Sequence, residues 1–92
     1  MTELQIEMLI AIAESEYQPT NGCQAENYDD LDWVWAEFII ETQQDKGTFA
    51  SLVNAKMAEH NGHPDRKEAC VRLTAEGFKA YKTKLDCQQP NT

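Results

Sequence analysis

Apolar residues in the first half of the chain recur at the spacing of helix faces and predict two helices. The first is expected over about residues 3–16, where Thr2 and Gln5 can form a capping box at its start. The second is expected from about residue 29 to 43, because apolar residues there follow the spacing i, i+3, i+4, i+7 and i+8. Its apolar face consists of Leu31, Val34, Trp35, Phe38 and Ile39.

The pattern changes twice in the second half. A short turn at residues 45–48 ends in Thr48, an N-cap for a third helix that runs to about residue 55 or 56. The expected outer face of this helix consists of Ala50, Ser51, Asn54, Ala55 and Ala58. Alternation around Val71 then predicts a β-hairpin that pairs residues 57–61 with 68–73. Thr74 caps a last helix over residues 75–85, with Phe78, Tyr81 and Leu85 on its inner face.

These elements predict one domain over residues 1–86 and a flexible polar tail over residues 87–92. The chain has 92 residues, too few to fill two hydrophobic cores. The expected fold class is mainly α-helical with a small β-hairpin, in the order helix, helix, helix, strand, strand, helix. One core is expected to unite eight side chains: Trp35, Phe38, Leu52, Val53, Val71, Leu73, Phe78 and Tyr81.

Charge divides the chain into two unlike halves. The protein carries 16 acidic and 8 basic residues, which gives a net charge of -8. Residues 1–45 hold eleven acids and no lysine or arginine, so all the basic residues follow. This asymmetry predicts a bipolar surface whose acidic pole lies at the expected start of the second helix, where the helix dipole favours anions. Its candidate interaction residues are Glu26, Asp29, Asp30 and Asp32. The alternative explanation is that the acids only keep solvated helix faces soluble.

The stretch from Gly47 to Lys82 contains three features that occur together in a known fold family. They are the third helix, a turn with the sequence His63-Pro64-Asp65-Arg66-Lys67, and Leu73-Thr74-Ala75-Glu76-Gly77 at the start of the last helix. The stretch resembles the winged-helix domains of small bacterial or phage regulators. In those domains a recognition helix leads into a hairpin wing, and the closing strand runs into a Leu-Thr-x-x-Gly helix start. Gly is usual there at the end of the recognition helix, where this chain has Lys56.

The resemblance implies a fold and a way of binding double-stranded DNA. The fold would be winged-helix-like, with side chains of the third helix in the major groove and the wing beside it. Bases would be read by Thr48, Ser51 and Asn54, of which asparagine can pair with adenine. Phosphate contacts would fall to Lys46, Arg66, Lys67 and Arg72. Proteins of this family often dimerise through their terminal helices, so the resemblance also implies a homodimer.

Few side chains could carry catalysis or hold a metal. His60, His63 and Cys70 fall in the hairpin, but their spacing lacks the regularity of zinc motifs, and the histidines fit as turn residues. No acid that would orient a Cys–His pair is recognisable, and no glycine-rich phosphate loop is present. We therefore expect no enzyme activity, no metal and no cofactor. The three scattered cysteines predict free thiols and a cytoplasmic protein: Cys23, Cys70 and Cys87.

Two functional hypotheses of different classes follow. The first is a non-catalytic regulatory or accessory protein whose acidic pole engages a basic protein partner, for example a surface that normally holds nucleic acid. The second is a DNA-binding transcriptional regulator that uses the third helix and the wing. Neither involves a membrane, because no apolar stretch is long enough to cross one.

Overall fold

Helices and one antiparallel sheet build a small mixed α/β domain in the computed structural model, which describes residues 2–65 and 67–88, with backbone only for 84–88. The helices are α1 (Glu3–Ala13), α2 (Ala36–Ile39), α3 (Gln43–Asn54) and α4 (Ala75–Gln88), and a 3₁₀ turn covers Tyr28–Asp30. The strands are β1 (Val34–Trp35), β2 (Ala58–His60) and β3 (Cys70–Leu73). Their order in the sheet is β1-β3-β2, so β3 lies in the centre.

The capping box expected at the start of α1 is confirmed. Thr2 Oγ1 accepts the Gln5 N–H at 3.2 Å, and Gln5 Oε1 accepts the Thr2 N–H at 2.8 Å. The helix ends at Ala13, earlier than the predicted residue 16. The chain turns back there, because the Ala13 carbonyl accepts the Gly22 N–H at 2.9 Å instead of a further helical N–H.

The long second helix predicted over residues 29–43 is wrong. Its place is taken by the 3₁₀ turn, by β1 and by the single-turn helix α2. Val34 pairs with Val71 and Trp35 with Cys70, so the predicted hairpin is part of a three-stranded sheet. Val34 and Ala36 are buried and Trp35 is exposed, which is the two-residue period of a strand. Valine and tryptophan also favour strands, and pairing with β3 decides between the two periods.

Three of the expected core side chains lie at the surface instead, in β1, α2 and α3. Trp35, Phe38 and Val53 are 43%, 48% and 39% exposed. The other five expected core residues are buried: Leu52, Val71, Leu73, Phe78 and Tyr81. Side chains of α1 complete this core and are among its least exposed members: Leu9, Ile12 and Ala13.

α3 begins earlier than predicted, because Thr42 and not Thr48 is its N-cap. Thr42 Oγ1 accepts the Asp45 N–H at 3.0 Å. The Asp45 carboxylate in return accepts the N–H groups of Glu41 and Thr42, at 3.0 and 3.1 Å. This capping box satisfies N-terminal donors that the predicted turn at residues 45–48 would leave open, so that turn is wrong and Gly47 lies within the helix.

α3 ends close to the predicted position, in a Schellman motif. The Lys56 N–H donates to the Val53 carbonyl and the Met57 N–H to the Leu52 carbonyl, both at 2.9 Å. Lys56 has a φ of 63°, the left-handed conformation that favours glycine at such helix ends. Ala58, expected on the outer face of α3, is instead a buried residue of β2.

The structure contains the predicted hairpin and a last helix that Thr74 caps. Ala58 pairs with Leu73, and Thr74 Oγ1 accepts the Gly77 N–H at 3.0 Å. A Cβ at Gly77 would lie 1.8 Å from the Met57 carbonyl oxygen, so only glycine lets α4 approach the start of the hairpin this closely. α4 continues to Gln88, two residues into the predicted tail; residues 89–92 and the Leu85 side chain lie outside the described part.

Replacing Gly47 with alanine tests the start of α3. Within a helix, alanine is favoured over glycine by about 0.5–1 kcal/mol, and no neighbouring atom lies within 4 Å of a Cβ built there. We expect Gly47→Ala to raise the free energy of unfolding in urea by this amount, with an unchanged m-value. Gly62→Ala is the control and should destabilise, because Gly62 has a φ of 77°. A destabilised Gly47→Ala would contradict the helical assignment of this position.

Candidate interaction site

The four predicted interaction residues form one exposed segment just before β1, here called the acidic segment: Glu26, Asp29, Asp30 and Asp32. They lie in and around the 3₁₀ turn and not at the start of a long helix, so the expected support from a helix dipole is wrong. Asp30 Oδ2 instead accepts the N–H groups of Glu26 and Asn27, at 3.0 and 3.2 Å. One carboxylate thus closes the turn that presents the others.

Gln18 ties the acidic segment to the end of α1. Its side chain is buried, and Nε2 donates to the carbonyls of Ile12 at 3.1 Å and Asp32 at 3.0 Å. Gln18 Oε1 accepts the Asp32 N–H at 2.7 Å. Both backbone groups of Asp32 are therefore held, while its carboxylate stays exposed and accepts the Trp33 N–H at 2.8 Å. Sequence reasoning missed Gln18, because a glutamine within a polar loop carries no signal of burial.

The acids of residues 1–45 form no ion pair with a described lysine or arginine. The described residues contain two ion pairs, Arg72–Glu59 at 2.8 Å and His63–Glu68 at 2.9 Å, and both use acids of the second half. Among the described side chains, no lysine or arginine therefore neutralises the negative charge of the first half at contact distance. Such a field extends over about 8–10 Å at moderate salt and attracts cations.

Exposed aromatic rings accompany these acids. Tyr28 lies in the 3₁₀ turn and is 37% exposed, and Trp35 of β1 is 43% exposed. Tyr17 and Phe38 stack on each other with ring centroids 4.9 Å apart, although both rings are about half exposed. Aromatic residues are enriched at protein interfaces, and their faces attract lysine and arginine. The surface is thus suited to a basic partner in both charge and apolar area.

The predicted base-reading side chains of α3 do not share one outward face. Thr48 Oγ1 donates to the Gln44 carbonyl at 2.9 Å. Ser51 Oγ donates to the Thr48 carbonyl at 2.6 Å and accepts the side-chain N–H of Gln5 at 2.9 Å, so Ser51 faces α1 and not the outside as predicted. Asn54 is exposed near the end of the helix.

The predicted phosphate-contacting residues are also divided. Lys46 and Lys67 are exposed. Arg72 is occupied within the protein, because its guanidinium bonds Glu59 and lies 4.6 Å from the centre of the Trp33 ring. Arg66 lies outside the described residues. Lysine side chains on α3 and on the hairpin turn are thus the candidates that the structure leaves exposed.

Two surface cavities flank α2 and α3 and differ in charge. The first has a volume of about 180 Å³ and opens between α1, α2 and the start of α3, with Glu7 and Asp45 as its ionisable residues. The second has a volume of about 270 Å³ and opens between α2, α3 and the hairpin turn, with Lys46, His60 and His63 as its ionisable residues. Acids thus line the first cavity, and a lysine and two histidines line the second.

The hairpin histidines take part in the turn itself. His60 Nδ1 accepts the Gly62 N–H at 2.8 Å, and His63 Nδ1 accepts the Asp65 N–H at 3.1 Å. Nowhere in the described part of the chain do three histidine, cysteine or acidic side chains come together as metal ligands would. Cys23 and Cys70 are free thiols, and burial raises the pKa of Cys70, which makes it a weaker nucleophile at neutral pH. Cys87 has no described side chain.

Comparisons with known proteins assign neither a family nor a function to this chain. No family model, no curated protein and no solved structure matches the chain. Within residues 2–65 and 67–88, no helix combines the length and the apolar character needed to cross a bilayer.

Removing the Gln18 side chain tests how the acidic segment is held. Gln18→Ala deletes three hydrogen bonds and leaves the Ile12 carbonyl and the Asp32 backbone without these partners. We expect it to lower the free energy of unfolding by about 2–4 kcal/mol, measured in urea. Gln24→Ala, at an exposed position of the same loop, should change stability by less than about 0.5 kcal/mol. Equal stabilities of the two variants would refute the role of Gln18.

Proposed function

We propose that this protein is a non-catalytic, cytoplasmic regulatory or accessory protein that binds a basic partner protein through its acidic surface, on a winged-helix-like scaffold. The observation that carries the proposal is that eleven exposed or partly exposed acids of residues 1–45 pair with no described lysine or arginine. Mutual repulsion on this scale disfavours the compact state. A partner that supplies positive charge relieves the repulsion when it binds.

The connection between α3 and α4 supports the winged-helix-like scaffold. α3 leads through a left-handed Lys56 into the β2–β3 hairpin, and β3 runs directly into a helix that Thr74 caps. Gly77 is required by the close approach of the Met57 carbonyl. The resemblance depends on these features, and the contacts of this fold explain why Thr74 and Gly77 stand at their positions. A homodimer through the terminal helices remains part of this proposal.

Charge reversal within the acidic segment tests the proposed function. The partner is first isolated by pull-down from the native host and identified by mass spectrometry. Asp29→Lys should then slow its association at least about threefold at about 50 mM salt, and the effect should shrink at about 300 mM as salt screens the field. The side chain of Asp29 is exposed. The substitution retains the hydrogen bonds from the backbone N–H groups of Glu26 and Asn27 to the Asp30 carboxylate.

Glu76→Lys is the matched control, since it changes the charge equally at an exposed position of α4. Its association rate with the same partner should stay within about twofold of wild type. Equal association rates of wild type and Asp29→Lys at low salt would contradict binding of the partner through the acidic segment, whose acids would then serve solubility alone.

The second candidate function is DNA binding by α3 and the hairpin turn. The observation that favours it is the cavity between these two elements, where Lys46, His60 and His63 lie together. Lys67 is exposed on the same hairpin turn. The resemblance puts phosphate contacts at Lys46 and Lys67, and cationic side chains on both elements would contact the backbone of one duplex.

A salt titration of duplex binding tests this second function. If it holds, affinity for random duplex falls steeply with salt, and Lys46→Glu weakens binding to all sequences at least about tenfold, while Lys79→Glu on α4 changes it little. Asn54→Ala should alter the sequence preference instead. No retardation of random or genomic duplex by micromolar protein at about 50 mM salt would remove this candidate.

A further inference from the structure

The cavity between α1, α2 and the start of α3, here called the acidic groove, has an apolar floor. Leu4, Met8 and Ala11 line it from α1, and Ile39 lines it from α2. Leu4 is 43% exposed, although it is a large aliphatic side chain on a well-capped helix. The α1 residues follow the spacing i, i+4, i+7 and cover about 10 Å along the helix. The floor therefore has the length of two helical turns.

The rim of the acidic groove is negative. Its two ionisable side chains are Glu7, which is exposed, and Asp45. The N–H groups of Glu41 and Thr42 bond the Asp45 carboxylate and lower its pKa, so it is ionised at neutral pH. Glu3 precedes Glu7 by one helical turn, and the exposed Glu41 precedes the cap of α3. No lysine, arginine or histidine of the described part of the chain lines the groove.

We infer that the acidic groove is the docking site for a basic amphipathic helix of a partner protein, which inserts one large apolar side chain between flanking lysines or arginines. The inference rests on the proposed function and names the chemistry of the partner. Charge complementarity favours a cationic occupant, because both ionised groups of the rim, Glu7 and Asp45, are anions. The spacing of the floor suits a helix, whose own side chains at i, i+4 and i+7 pack into such a row.

The volume of the groove suits a side-chain anchor better than a free small molecule. Small-molecule sites usually enclose about 300–1,000 Å³, and the acidic groove encloses about 180 Å³. An apolar cavity of about 150 Å³ accommodates a benzene ring, so one phenylalanine or leucine side chain fills this space. Most of the docked helix would then lie over the exposed side chains of Leu4 and Ala11, with its cations towards Glu7 and Asp45.

A fluorescein-labelled synthetic helix of leucines at i, i+3, i+4 and i+7 and lysines elsewhere tests the inference by fluorescence anisotropy. The wild-type chain should bind it, and a peptide with serine in place of leucine should bind at least about tenfold more weakly, since the lysines alone do not fill the floor. Ala11→Phe fills the groove without changing charge and should weaken binding at least about tenfold. Ala50→Phe, at an exposed position of α3 outside both cavities, is the matched control and should change affinity less than about twofold.

A second pair of variants separates a local effect at the groove from an effect of net charge, and amide shifts locate the bound peptide. Glu7→Gln should weaken peptide binding about threefold at about 50 mM salt, whereas Glu76→Gln should not. Amide shifts in ¹⁵N-correlation spectra should fall on residues 4–11, 39, 45 and 48. Absence of binding, equal affinity of Ala11→Phe and wild type, or shifts confined to residues 26–33 would each overturn the inference. In the last case the proposed function stands, because the acidic segment itself then holds the basic ligand. If the groove binds the peptide but Asp29→Lys leaves the native partner unaffected, the proposed role of the acidic segment fails alone.

Discussion

The pairing of β1 with β3 is the contact on which the positions of both candidate surfaces depend. It places residues 34–35 in the sheet and limits α2 to Ala36–Ile39. The next helix, α3, then starts directly after its N-cap, Thr42. The 3₁₀ turn and the acidic segment are then held outside the sheet, between α1 and β1. Gln18 completes this arrangement, because its three hydrogen bonds join the Ile12 carbonyl near the end of α1 to both backbone groups of Asp32.

The separation of charge in the sequence becomes a separation in space because α3 lies between the two cavities. Asp45 and Lys46 are neighbours in the first turns of this helix, but Asp45 turns back to cap the helix and lines the acidic groove, whereas Lys46 lines the cavity beside the hairpin turn. Adjacent residues on a helix point about 100° apart, which is enough to direct them to different surfaces. One helix therefore separates the acidic groove from the cavity that Lys46, His60 and His63 line.

The scaffold and the acidic surface make different demands on the sequence. The scaffold needs particular residues at tight places: Thr74 to cap α4, Gly77 to admit the Met57 carbonyl, and a residue at position 56 that tolerates a positive φ. The acidic surface needs only exposure and the absence of nearby cations. Its binding energy would come from long-range attraction and from apolar anchors, of which the half-exposed rings of Tyr17 and Phe38 and the floor of the acidic groove are the available ones.

Local signals were sufficient at some places where neighbours in the chain supply the partners, although the capping box of Thr42 and Asp45 was missed. The capping box at Thr2 and the cap at Thr74 depend on residues three positions apart, and the sequence alone predicted them. It also predicted the hairpin around Val71, although not the register of its strands. The distribution of charge along the chain also follows from the sequence alone. The segment from Leu31 to Ile39 satisfies both a helical and a strand period, and only a distant strand, β3, decided between them. The burial of Gln18, the turn of Ser51 towards Gln5 and the acidic groove likewise depend on elements that meet only in the folded chain, because hydrogen-bond partners and cavity walls from remote positions leave no local period to read.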